Sequence, residues 1–305
     1  MPTRRIEMVE VAARDGLQNE PGVVATAVKV ELIERLEAAG IRRLEAASFV
    51  NPKRVPQMAD AEAVMAALPP REDVTHIGLV LNKRGFERAQ AAGCKEVNYA
   101  LVATDTFSKR NQGTTTKEGT AVYRQIAEAA HAAGIRCSLT ITVAFGCPFE
   151  GEVPAERVME LIERALGPET FEVGLADTIG CAVPSQVDRL FREVAKRTPG
   201  KRLRAHFHNT RNTGIANCYA AVEAGVDAID ASLGGIGGCP FAPAATGNVP
   251  TEDVVYMLSR MGIETGVDLA ALIRTTGWLE GQIGRRTPAL VSRAGLFPPV
   301  AMPAA

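Results

Sequence analysis

Four segments of this chain repeat one pattern: AAGIRRLEAA at 38–47, AAGCKEVNYA at 91–100, AAGIRCSLTI at 132–141 and EAGVDAIDAS at 223–232. Each starts as helix, meets a glycine where a helix C-cap needs a left-handed residue, and runs into an alternating apolar stretch suited to a short buried strand. Each copy marks a helix-to-strand joint. The same criteria predict eight strands, at 6–12, 41–47, 74–80, 95–101, 136–143, 171–175, 202–207 and 227–232. Helical patterns follow at roughly 26–39, 54–68, 83–92, 117–133, 154–166, 184–197, 213–224 and 251–262, with Pro154 and Pro184 near first helical positions. Eight strict alternations, without a Gly/Ser linker between halves, argue for one closed parallel (β/α)8 barrel over two open sheets. A length of 305 residues leaves one or two domains open, and the count of joints decides for one. The expected organisation is a catalytic barrel over 1–262 and an extension over 263–305, helical at VDLAALIRTTGWLEGQI and loose in its Pro/Ala-rich tail.

Composition excludes several classes of function. Apolar residues make up 46% and charged residues 23%, as in ordinary globular proteins. Lys and Arg number 34 against 35 Asp and Glu, so no net field exists to hold a nucleic acid, and a small partner is expected. Cysteines 94, 137, 147, 181, 218 and 239 form no CxxC pair, which reads as free thiols in a reducing compartment. The start, MPTRRIEMVEV, has no apolar signal region, and no stretch approaches the ~18 apolar residues of a membrane span. A cytoplasmic protein with no membrane partner is the expectation.

In such a barrel the chemistry lies at the C-terminal ends of the strands. His206 and His208 are two apart on the seventh strand, so their rings share one face about 6–7 Å apart along the chain. That spacing suits metal ligands, although a barrel-interior histidine satisfied by a neighbour would look the same. The candidate partners at other exits are Asp15, Glu45, Asp177 and Asn248, a mixed imidazole and oxygen set that fits Mg²⁺ or Mn²⁺ better than Zn²⁺. Arg14 beside Asp15 offers a guanidinium for a carbonyl oxygen or enolate, while Asp15-Gly16 is equally ordinary turn chemistry. Asp177 reads either as the orienter of a ligating histidine or as a helix N-cap. GGIGGCP, at 234–240, matches neither the dinucleotide nor the Walker pattern. It reads as a mobile loop whose Cys239 delivers a proton to a carbanion, or as the site of a structural thiol. Cys94, Cys137 and Cys218 fall inside elements and are expected to be structural; Cys147 and Cys181, at exits, stay open. Lys109, Arg110 and Asn111 lie at the fourth exit, where a basic patch suits the phosphates of coenzyme A or is simply a solvated loop.

RDGLQNE (14–20), EAASFVNPKRVPQMAD (45–60), FSKRN (107–111), GCPFEG (146–151), DTIG (177–180), HFHNT (206–210) and GGIGGCPFAPAATGNVPTEDVVYML (234–258) together resemble the 3-hydroxy-3-methylglutaryl-CoA (HMG-CoA) lyase family, over nearly the whole barrel. The resemblance implies that Asp15, His206, His208 and Asn248 ligate Mg²⁺ or Mn²⁺ and leave room for substrate oxygens. It also implies that Arg14 holds the thioester oxygen as it becomes an enolate, and that Glu45 and Asp177 position the substrate hydroxyl and the histidines. Cys239 would protonate the departing enolate, and His206 would be the base. Gln18, Ser48, Lys109, Arg110, Asn111 and Arg211 would meet the substrate and coenzyme A. The expected partners are an acyl-CoA and, in a homo-oligomer, further copies of the chain.

Two departures bear on the substrate. Where the family usually reads HDTYGQA this chain has HNTRNTG at 208–214, placing Arg211 near the mouth, and Pro21 replaces the lysine usual after QNE. HMG-CoA, cleaved to acetyl-CoA and acetoacetate, is the first expectation. Citramalyl-CoA is the alternative, and a Claisen condensing enzyme on the same barrel a further one.

Overall fold

The computed structural model describes residues 4–238 and 247–298. Eight strands, β1 (Glu7–Glu10), β2 (Arg43–Ser48), β3 (Thr75–Val80), β4 (Glu96–Val102), β5 (Arg136–Thr142), β6 (Thr170–Asp177), β7 (Arg202–Phe207) and β8 (Ala228–Ala231), pair in parallel with their chain neighbours. β1 closes on β8 with Glu7 opposite Ala228 and Glu10 opposite Ala231, so the sheet is the expected closed barrel.

The helices are α1 (Thr26–Ala38), α2 (Ala61–Ala67), α3 (Lys83–Ala91), α4 (Asp105–Gln112), α5 (Thr116–Ala132), α6 (Ala155–Ala165), α7 (Pro184–Arg197), α8 (Gly214–Ala224), α9 (Thr251–Arg260), α10 (Leu269–Ile283) and α11 (Val291–Ala294). Two differ from expectation. Pro56 opens a separate 3₁₀ turn, Pro56–Met58, so α2 starts only at Ala61. The segment after β4 is not a loop but the short helix α4, ended by Gly113 at φ 76°. Its apolar anchor is Phe107, buried and packed on Phe149 at 5.7 Å between ring centroids, too little to make a helical period in the sequence. α10 buries Leu272 and Leu279, and Arg35 of α1 lies 4.7 Å above the Trp278 ring. In the tail, Asp253 accepts hydrogen bonds from the N–H groups of Leu290 and Val291 at the start of α11. Among the described residues no helix is long and apolar enough to cross a membrane.

The outer strand faces join the helices in one apolar core, whereas the barrel interior is largely polar. At its floor Arg43 bonds both Glu96 and Glu172, and Arg204 Nε lies 3.1 Å from Glu172. One layer higher, Arg204 donates to Thr140 (3.1 Å), Thr140 to Asn98 (2.9 Å) and Asn98 to Glu45 (2.7 Å). A parallel barrel fixes inward side chains in layers, so these charges stack beneath the C-terminal mouth and brace what sits there.

Candidate active site

After β1 the chain makes one turn of π-helix, Ala12–Gly16, closed by a Gly16 N–H to Val11 carbonyl bond of 3.1 Å. The wider turn bends the backbone over the barrel mouth and brings Arg14 and Asp15 inward. Gly16 is required there by contact: a Cβ would stand 2.7 Å from Ile236 and 2.8 Å from the Ser232 hydroxyl. The Arg14 guanidinium bonds Asp15 through one Nη and Glu45 through Nε (2.6 Å) and its other Nη. Burial opposes ionisation of Asp15, yet Arg14 and the two histidines hold its carboxyl down at about 2, so it is an anion.

His206 and His208 share the inner face of β7's end, with ring centroids 5.2 Å apart. Asp15, His206 and His208 each aim a donor atom into one space, all three atoms within 4.8 Å of one another. Segment 247–250 returns beside β7, bridging Asn248 to His208, and Asn248 Nδ2 donates to Asp15 at 2.8 Å. Gly237, at φ 119°, lies so close that a Cβ would meet Asn248 Nδ2 at 2.5 Å. Asn248 Oδ1 and His208 Nδ1 are buried without hydrogen-bond partners. Burial, followed by the neighbouring His206, pushes His208 down to about 4, leaving the neutral imidazole that a metal takes. An anionic oxygen, a neutral imidazole and an orphaned amide oxygen fit a hard divalent cation.

The other predicted residues separate into two groups. Glu45 is fully buried between Arg14 and Asn98, and the Ser48 hydroxyl is buried without a hydrogen-bond partner. Gln18 is half-buried beside the π-turn, whereas Asn19 reaches across to the Gly238 carbonyl (2.6 Å). Lys109 and Arg110 are exposed on α4, Arg110 stacking 4.2 Å above Phe149, and Asn111 is half-buried. Asp177 does not orient a histidine by hydrogen bonding. Its two oxygens accept the N–H groups of Cys181 and Ala182, both at 2.9 Å, closing the turn before α7, whose N-cap is Val183, so Asp177 is not the helix N-cap either. Arg211 is exposed and donates to the carbonyls of Ile179 and Gly180, bracing the Asp177 turn. Cys239 lies outside the described residues. Cys147 is buried and accepts from Thr104, and burial followed by Asp177 pushes Cys181 up to about 12, so neither has an activated thiol's surroundings.

The partner that holds His206 is Asp230, which the sequence reading missed. Asp230 stands opposite His206 in the β7–β8 register, its Oδ2 3.1 Å from His206 Nδ1. The available signal was its alternation on a strand next to the histidine pair.

The model of the HMGL-like family matches residues 5–278. The chain belongs to the HMGL-like family. It is 45% identical to the (R)-citramalyl-CoA lyase of Chloroflexus aurantiacus, over 97% of this chain and 96% of that protein. It is 40% identical to the hydroxymethylglutaryl-CoA lyase of Pseudomonas mevalonii, over 95% and 96%. An HMG-CoA lyase of Acinetobacter baumannii, solved with coenzyme A and 3-methylmalate, superposes with a TM-score of 0.94 at 38% identity, covering 100% of this chain and 99% of that one.

In this HMGL-like barrel two buried glutamates tie the strand exits together. Glu10 accepts from the N–H groups of Ala12 and Leu233 and from the Thr251 hydroxyl, joining the Arg14–Asp15 turn, the start of the glycine-rich segment and the neighbourhood of Asn248. Glu252 accepts from Gly234 N–H and the Thr276 hydroxyl. Burial raises both carboxyls from 4.5 to about 7. The folded chain therefore binds these protons more tightly than the unfolded one, and the stability they contribute is full below about 4.5 and lost as pH rises through about 7. Glu10→Gln keeps a carbonyl acceptor and abolishes the ionisation. Its stability should fall less between pH 5 and pH 8 than the parent's, by about 3 kcal/mol in urea unfolding. Identical pH slopes would show that Glu10 is not the titrating group.

Proposed function

We propose that this chain is a divalent-metal-dependent acyl-CoA lyase that splits a tertiary 3-hydroxyacyl-CoA into acetyl-CoA and a keto acid. The observation that carries the reading is the convergence of Asp15, His206, His208 and Asn248 on one space beside the Arg14 guanidinium. When bound there, Mg²⁺ or Mn²⁺ would acidify a hydroxyl and orient it together with a carboxylate.

The chain's own groups supply the rest. The substrate hydroxyl loses its proton to His206 Nε2, the nitrogen left free by Asp230, whose single lone pair takes that proton in exchange for its hold on the ion. The electron pair of the C2–C3 bond passes to the thioester, C3 becomes a ketone, and the acetyl-CoA enolate develops charge on its oxygen. Arg14, held by Glu45, stabilises that charge. Cys239 returns a proton to C2, so the hydroxyl proton lost is balanced by one gained. Lys109, Arg110 and Asn111 meet the coenzyme A phosphates, Gln18 and Ser48 line the acyl end, and Arg211 sets the loop beside it. The active assembly is a homo-oligomer in the cytoplasm.

HMG-CoA is the first substrate reading. The 45% identity with a protein named (R)-citramalyl-CoA lyase favours a second, in which the carboxylate stands one methylene nearer the carbinol carbon. Incubation of each acyl-CoA with the protein and Mn²⁺ should release acetyl-CoA from at least one, with release abolished by a chelator. Acetoacetate or pyruvate as co-product tells which. No metal-dependent release from either would overturn the assignment.

A further inference from the structure

We infer that Asp230 is a positioning residue that locks His206 as the Nδ1–H tautomer, so that the Nε2 lone pair faces Asp15 and His208. The inference rests on reading those residues as the ion site, but its geometric basis is separate. Asp230 is buried, and Oδ2 takes the His206 Nδ1 contact at 3.1 Å. Its other oxygen makes no hydrogen bond and lies 3.6 Å from Arg204 Nε.

Arg204 is in turn held by Glu172 (3.1 Å) and Thr140 (3.1 Å). A continuous line of charged side chains thus runs from Arg43 at the barrel floor through Glu172 and Arg204 to Asp230, and ends on the ring that faces the mouth. Arg204, His206 and His208 alternate on the inner face of one strand end, so the countercharge for Asp230 and the ring it grips come from the same backbone. A neutral imidazole with its Nδ1 beside a carboxylate carries its proton on Nδ1. Its Nε2 is then an acceptor, free to hold the ion or, in its place, a proton, and the ring cannot flip without losing the bond.

The competing role for Asp230 is only to balance Arg204. Histidine ring ¹⁵N spectra of the protein at about pH 9 separate the two, with four histidines in the chain to assign by single substitutions. The expected result is a His206 ring protonated on Nδ1 and bare on Nε2. A proton on Nε2 overturns the inference without any Asp230 variant.

Two variants extend the test. Asp230→Ser is too short to reach the ring and should mix the tautomers and weaken Mn²⁺ binding, read by electron paramagnetic resonance, by about 10–100-fold. Asp230→Asn keeps a carbonyl acceptor and should restore both to within a few-fold. If both variants lower the melting temperature and neither changes tautomer or Mn²⁺ affinity, Asp230 is only a counter-ion. If the parent protein itself binds no Mn²⁺, the ion-site reading fails, while the ring spectra still decide the role of Asp230.

Discussion

Arg14→Gln is expected to lower kcat by about a thousand-fold with little change in KM, because in the proposed reaction the guanidinium, held between Asp15 and Glu45, stabilises the charge that develops on the thioester oxygen. A group that acts on the enolate more strongly than on the ground-state carbonyl is felt in kcat, whereas one that merely grips the substrate is felt in KM. Arg14 also neutralises Asp15 and the fully buried Glu45, so the single substitution leaves a carboxylate in the barrel with Asn98 as its remaining partner. The double variant Arg14→Gln/Glu45→Gln removes that complication. If Arg14 serves the reaction, the double variant stays as slow as the single one while regaining melting temperature. Recovery of activity in the double variant, or a kcat within ten-fold of the parent for the single one, would reduce Arg14 to a counter-ion.

What the sequence discloses about this molecule depends on how local each constraint is. The barrel was legible because its joints are local: Gly40, Gly93, Gly134 and Gly225 all have positive φ, as the helix-to-strand turn demands. His206 and His208 were legible for the same reason, since a two-residue spacing fixes their shared face without reference to any other strand. Asp230 was not. It is a lone acid in an apolar strand, and only the register that sets it opposite His206 gives it a task. Asp177 carried two readings because its choice between a histidine and nearby backbone depends on the turn at Gly180 (φ 60°), which folds the Cys181 and Ala182 N–H groups back onto it. Glu10 and Glu252 look like ordinary acids in sequence, and their shared hold on residues 233 and 234 exists only once β1, β8 and α9 have met. The histidine pair found by spacing lies at one strand end, whereas Asp230, Glu10 and Glu252 act through partners on other elements.

The charged floor of the barrel extends that rule to stability, and Arg43→Met should destabilise the protein by about 3–5 kcal/mol at pH 8. Arg43 is almost wholly buried and bonds Glu96 and Glu172, both fully enclosed. Methionine fills much of the volume but leaves two carboxylates to the flanking Arg136, Arg202 and Arg204. Burial opposes the charge on Glu172, while Arg204 and Arg43 hold its carboxyl down at about 2. A carboxyl depressed in the fold gives stability that is present above about 4.5 and lost as pH falls toward 2, and removing Arg43 takes away part of it. The deficit of the variant should therefore be largest at pH 8 and shrink toward pH 4, where Glu172, no longer held down by Arg43, can take a proton. Arg43→Met/Glu96→Gln should recover part of the loss at pH 8, since an unpaired buried charge costs more than an apolar pair of similar shape. Urea unfolding of the three proteins at both pH values measures this. A single variant within about 1 kcal/mol of the parent at pH 8 would mean that the flanking arginines alone satisfy the floor, and that Arg43 serves closure of the barrel rather than its charge balance.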